Sequence, residues 1–251
     1  MTRSITERIA GRMRRIAERA AQGQRGEAPT EATAGTNPAV EALDWARTQP
    51  GWWHDSGNLG APVLERILHH AERVGTRCSA ETGCGFSTIL LSNVADRHTC
   101  FTVAMGNSLE RVQDAQHFNR DRVNFVIGPS QLTLPRHSFQ DPLDFVLIDG
   151  THGFPFAHLD YYFLHPQIRR GGMLLIDDIH IPTCGQLYEV LKEDKMWRHV
   201  EDVLFTAFFE RTDAPLFDPH GDNWFMQGFN KKHFAYKESL VSALGEKWWE
   251  K

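Results

Sequence analysis

The stretch Ser79–Ser92, SAETGCGFSTILLS, decides the fold. It sets two glycines, Gly83 and Gly85, and two small hydroxyl residues, Ser87 and Thr88, between a short extended run (RCSAE) and an apolar helical run (FSTILLSNVA). So bare a backbone at a strand-to-helix junction serves either a ligand that comes close to the main chain or a tight turn.

Downstream, the extended and helical patterns alternate. HTCFTVAM is rich in β-formers, SLERVQDAQHFN has helical spacing, and VNFVIG, LDFVLIDG and MLLIDDI are apolar runs of strand length. The last two lack strict apolar–polar alternation, the mark of strands buried on both faces. FPFAHLDYYFLHPQIRR lies between them and is long enough for a crossover helix. Repeated β-α-β units with buried strands predict an α/β fold, a doubly wound, mostly parallel, Rossmann-like sheet. Near the end, HVEDVLFTAFFERT and DNWFMQGFN flank the turn-rich DAPLFDPHGD and predict an antiparallel C-terminal hairpin, with KESLVSALGEKWWEK as a closing helix.

Upstream, residues 1–37 read as an N-terminal extension. MTRSITERIAGRMRRIAERAAQGQRG places Ile5, Ile9, Met13 and Ile16 near one helical face, with arginines around the rest. QGQRGEAPTEATAGTNP has no apolar period and reads as a linker. Residues 38–251 read as one folded domain, opened by AVEALDWARTQ and GAPVLERILHHAERVG as helices. Trp52 and Trp53 in the loop between those helices fit either a core plug or a wall over a site.

Composition narrows the function classes. A chain of 251 residues with formal net charge −5 carries no general nucleic-acid footprint. No apolar run reaches the roughly 20 residues of a membrane helix. The four scattered cysteines form no CxxC pair, and with no signal-peptide core the expectation is a cytoplasmic protein.

Ligands of doubly wound sheets bind beyond the carboxyl ends of the strands. Three motifs fall there: Glu81-Thr-Gly83-Cys-Gly85-Phe-Ser87-Thr88, Ile148-Asp149-Gly150-Thr151-His152 and Ile176-Asp177-Asp178-Ile179-His180. Acidic residues at the ends of buried strands are costly without partners, so two such ends beside a glycine loop predict a site. The loop is neither a dinucleotide fingerprint, since Thr88 stands where a third glycine belongs, nor a P-loop, which needs a lysine after its second glycine.

E-x-G-x-G-x-S-T resembles motif I of the class I S-adenosylmethionine-dependent methyltransferases. FVLIDGTH and RRGGMLLIDDI resemble the later motifs of that family, in its small-molecule O-methyltransferase-like branch. The resemblance makes residues 38–251 a methyltransferase-like domain and implies O-methylation of a small hydroxylated acceptor, without a nucleic-acid partner and with a homodimer as one assembly. It implies that Glu81, Gly83 and Gly85 hold the amino-acid end of the cofactor. Ser87 and Thr88 serve as cofactor contacts or helix caps, and Ser130 is a candidate at the adenine. Asp149 and His152 are the candidate catalytic pair. Asp149, Asp177 and Asp178 together suit a hard cation such as Mg²⁺, and His152, where catechol-type members carry a lysine, suits a general base. In one respect the chain departs from the family: Ala104 occupies the place of the acid that usually grips the ribose, leaving Asn107 and Ser108 as the nearest polar substitutes. That departure keeps open a catalytically silent binding or assembly module. A metal-dependent oxygenase using His152, Asp177, Asp178 and His180 is a further alternative.

Overall fold

The structure, a computed structural model, describes residues 37–51, 53–55, 57–216, 224 and 227–234. The N-terminal basic helix and linker and the closing C-terminal helix expected from the sequence fall outside the described residues. No helix among the described residues is long and apolar enough to cross a membrane.

Asn37 opens helix α1 (Pro38–Thr48), its Oδ1 accepting the Ala39 N–H at 3.0 Å with Pro38 in the first turn. In α2 (Ala61–Arg73) the buried Val63, Leu64, Ile67, Leu68 and Ala71 recur at helical spacing and form one face. Gly75, at φ +62, ends it. The Thr76 N–H bonds Ala71 O and the Gly75 N–H bonds Glu72 O, both at 3.0 Å, which satisfies the last carbonyls of the helix.

The sheet follows. Strands β1 (Cys78–Thr82), β2 (Arg97–Thr102), β3 (Val123–Ile127), β4 (Leu143–Ile148) and β5 (Ile168–Ile176) are parallel, and β6 (Trp197–Val203) and β7 (Thr206–Arg211) join antiparallel, in the order β3-β2-β1-β4-β5-β7-β6. Between strands lie α3 (Phe86–Val94), α4 (Ser108–Gln113), α5 (Ser130–Thr133), α6 (Phe156–Leu164) and α7 (Pro182–Lys192), and α8 (Gly228–His233) follows the sheet. The central strands alternate their side chains between two apolar layers. Phe145, Leu147, Met173, Leu175 and Phe208 pack with α1, α2 and α3 on one face. Val146, Ile148, Leu174, Ile176 and Phe209 pack with α6 and α7 on the other. Each such fully buried side chain stabilises the fold by about 1.5–3 kcal/mol.

Register puts the functional ends at one level. Thr82 pairs with Ile148, and Ile148 with Ile176, so the residues after β1, β4 and β5 emerge side by side. Because the chain winds from β1 towards β3 and then returns to β4, a crevice opens at the β1–β4 boundary. At the opposite end, Asp144 accepts the Arg77 and Cys78 N–H groups, both at 2.8 Å, and the Arg169 guanidinium. Burial works against this carboxylate, yet these donors hold it below its ordinary pKa.

The C-terminal hairpin is cut differently from the pattern. HVEDVLFTAFFERT holds nearly all of both strands, with a tight turn at Leu204-Phe205, and Gly228–His233 of the following segment is helical. Leu204 takes φ +54, a conformation that leucine rarely adopts, so the residue types gave no sign of the turn. Trp53 is a core residue: it is buried, stacks on Phe86 at 4.6 Å and meets Trp45 edge-on at 5.6 Å.

Candidate active site

A cleft of about 460 Å³ lies over the carboxyl ends of β1, β2, β3 and β4. Its floor is the Thr82–Ser87 loop, its far end Gly128–Gln131, and its other wall Asp149–His152 with Phe156. The volume suits a small ligand or cofactor.

The bare loop has a protein-side explanation. Gly83 adopts φ +104, and a Cβ there would overlap the Asp149 carbonyl oxygen. The missing side chain thus lets the β1 loop and the β4 end touch. A Cβ on Gly85 would stand 2.9 Å from His54 Nε2. Both glycines still line the cleft, but each also admits another part of the chain.

Glu81 is placed differently from the expectation. It is 1% exposed, and its carboxylate accepts hydrogen bonds from Ser87 Oγ at 2.6 Å and from Thr88 Oγ1. His98 Nε2 lies 3.0 Å from its Oε1, and His98 Nδ1 lies 2.8 Å from Ser79 Oγ. The carboxylate therefore faces inward and braces the loop rather than lining the cleft. Thr88 is buried and accepts the Gly85 N–H at 3.0 Å, the role of a helix cap. Ser87 reaches both the cleft and Glu81, and Ser130 lines the far end. Asn107 is drawn away from the cleft: its Oδ1 accepts the Asp55 N–H at 3.0 Å and its Nδ2 donates to Asp55 Oδ1 at 3.2 Å.

The acidic motifs meet, but not as the expected trio of carboxylates. Asp149, His152 and Asp178 each offer an atom within 4.8 Å of the others. His152 Nε2 is 3.0 Å from Asp178 Oδ2 and 3.7 Å from Asp149 Oδ1. Asp177 is turned away, its Oδ1 accepting from Thr206 Oγ1 on β7. The physical cause is Asp178 itself, which takes φ +55 and so sends two consecutive carboxylates in different directions. His180 approaches from the far side, Nδ1 3.6 Å from Asp178 Oδ1, with its ring 4.1 Å from Phe205.

The electrostatics follow from burial and charge crowding. Burial raises the Asp149 carboxyl to about 7; contact with His152 opposes that shift, and the charges of Asp177 and Glu81 add to it. His152 is raised, chiefly by Asp149 and further by the charge of Asp178, against the desolvation of its ring. Burial also raises Asp177 despite its bond from Thr206. The site thus crowds two carboxyl groups and an imidazole at the cleft wall, an O, N, O donor set that fits a divalent cation.

Several cleft residues escape the sequence pattern, among them Leu59, Phe101 and His54, which arrives from the loop between α1 and α2. His54 sits beside two tryptophans in sequence, and nothing local separates it from an ordinary loop histidine.

Residues 80–179 match the family model described as a methyltransferase domain. No curated protein matches the chain. Among solved structures, the chain is similar to the O-methyltransferase TomG of Streptomyces achromogenes, involved in tomaymycin synthesis and solved with S-adenosylmethionine: 15% identity, 71% of this chain and 91% of that one, TM-score 0.54. It is similar to a putative O-methyltransferase of Klebsiella pneumoniae at 12% identity, over 79% and 96% of the two chains, TM-score 0.55. It is similar to the methyltransferase PaMTH1 of Podospora anserina, solved with S-adenosylhomocysteine, at 15% identity, over 85% and 99%, TM-score 0.52.

Proposed function

We propose that the chain is a class I, S-adenosylmethionine-dependent methyltransferase of the O-methyltransferase-like kind that methylates a hydroxyl of a small molecule, with His152 as the base; the match of residues 80–179 to a methyltransferase-domain model supports the reading. The observation that carries this reading is the Asp149–His152–Asp178 cluster, set at the wall of the cleft that holds the glycine loop. S-adenosylmethionine supplies an electrophilic methyl group on a sulfonium. Its amino-acid end suits the Gly83–Gly85 loop and its adenine the Ser130 end. In that orientation the methyl group would lie on the side of the cleft that Asp149 and His152 line.

His152 would take the acceptor's hydroxyl proton on its imidazole, whose Nε2 faces Asp178 and Asp149. Asp149 and Asp178 stabilise the imidazolium so formed. Burial of this end of the cleft strengthens those contacts relative to water. With a divalent ion bound instead, Asp149, His152 and Asp178 would hold it and it would lower the pKa of a bound hydroxyl, His152 then being a ligand rather than the base. An imidazole among the donors widens the fit beyond Mg²⁺ towards Mn²⁺ and its neighbours. Phe205 and Phe154, both more than half exposed, offer apolar surface for an acceptor.

The silent-module reading draws on Ala104 and on the engagement of Asn107 with Asp55. One experiment separates the two: incubation with methyl-labelled S-adenosylmethionine and a panel of small phenols, catechols and sugars. Label transfer that the His152→Ala variant loses supports the enzyme. Cofactor binding with no transfer to any acceptor supports the silent module.

A further inference from the structure

Strand β2 ends at Thr102 and continues as Val103-Ala104-Met105-Gly106, with no acid at its tip. In the sheet it lies between β1, which leads into the glycine loop, and β3, which leads to Ser130. A ligand spanning the cleft from the loop to Ser130 therefore passes its middle over the β2 tip. In the cofactor proposed above, that middle is the ribose, with two neighbouring hydroxyls. Each hydroxyl both donates and accepts, so the protein must supply polar partners there.

The partners come from the loop between α1 and α2. His54 is 7% exposed, lines the cleft, and sets Nδ1 3.2 Å from Oγ of Ser108, which also lines the cleft at the start of α4. The ring is held from several sides. Trp53 before it is stacked in the core on Phe86. Asp55 after it is stapled to Asn107 by the two hydrogen bonds described above. Gly85 below it has no side chain, so the ring can rest against the loop backbone. Burial lowers the pKa of His54, against the attraction of Asp55; with Nδ1 engaged by Ser108, it is Nε2 that faces the glycine loop at Gly85.

We propose that His54 and Ser108 hold the ribose hydroxyls of the cofactor, taking the place of the acid that Ala104 lacks. The proposal rests on the cofactor reading above and adds a residue delivered from a loop 50 positions upstream of Ala104.

The test is titration calorimetry of the full chain with S-adenosylhomocysteine and with its 2′,3′-dideoxyribose analogue. Wild type, His54→Ala and Ser108→Ala are compared, and far-UV circular dichroism checks the fold of each. Both substitutions should weaken S-adenosylhomocysteine by about tenfold, the scale of one or two hydrogen bonds. Both should leave the dideoxy analogue within about twofold of wild type, because the lost partners have nothing to bond there. Equal weakening of both ligands would overturn the proposal, since that is what a purely structural role for the loop produces. No weakening of either would overturn it as well. Ser108→Ala removes a single oxygen and keeps the test decisive if the His54 variant misfolds. Failure of wild type to bind S-adenosylhomocysteine at all would instead refute the cofactor reading itself.

Discussion

His152 Nε2 lies 3.0 Å from Asp178 Oδ2, joining the end of β4 to the end of β5 across the sheet. The contact puts a titratable ring between two carboxylates, and the chemistry proposed for the site depends on it. The His152 pKa in the free protein should lie above the ordinary histidine value, because Asp149 and Asp178 favour its charged form. Asp178→Asn should move it down. Transfer, which needs the neutral ring, should fall as pH drops through the raised value. Histidine NMR titration of wild type and variant reads this directly. An unchanged pKa in the Asp178 variant would contradict the contact.

Asp149 trades stability for its position. Its carboxyl is raised to about 7 in the fold, above the roughly 3.9 of an unfolded aspartate. A raised carboxyl contributes stability below its unfolded pKa and loses it as pH rises through the folded one. The raised His152 loses its contribution in the same direction. Asp149→Asn should therefore melt higher than wild type at pH 8, by several degrees, with the gap closing towards pH 5. Melting curves at both pH values check this, and a gap independent of pH would contradict it.

The two loop glycines should separate on substitution. Gly83→Ala sets a Cβ against the Asp149 carbonyl at a φ that alanine resists. It should cost about 2 kcal/mol or more, roughly 4–8 °C in melting temperature for a domain of this size. Gly85→Ala meets only the edge of the His54 ring, so it should cost far less stability while weakening S-adenosylhomocysteine. Equal destabilisation by the two would refute the distinction.

Cation binding discriminates the carboxylates. Asp178→Asn or His152→Ala should weaken Mn²⁺ by at least about tenfold, and Asp177→Asn by no more than about twofold. Calorimetric titration with Mn²⁺ decides. A dominant role for Asp177 would restore the trio of acids suggested by the sequence.

The sheet and the cleft were legible because strands buried on both faces leave continuous apolar runs, and because their ends carry the motifs. FVLI and MLLI read as strands, and their register, Ile148 level with Ile176, brings the acids that follow them to one end of the sheet, Asp149 level with Asp177. What local pattern could not carry was direction. Asp177 and Asp178 are adjacent acids in sequence, and only the positive φ of Asp178 sends one to β7 and the other to His152. Glu81 reads as a ligand for the cofactor's ammonium until His98, 17 residues away, is placed beside it. His54 joins the cleft through tertiary packing alone, and the turn at Leu204 uses a residue type that hides it.

The account stands most directly on cofactor binding. Titration calorimetry of the wild-type chain with S-adenosylhomocysteine, and separately with NAD, measures it. Saturable one-to-one binding of S-adenosylhomocysteine and no heat with NAD are expected. Binding of NAD, or no binding of S-adenosylhomocysteine at millimolar concentration, would contradict it.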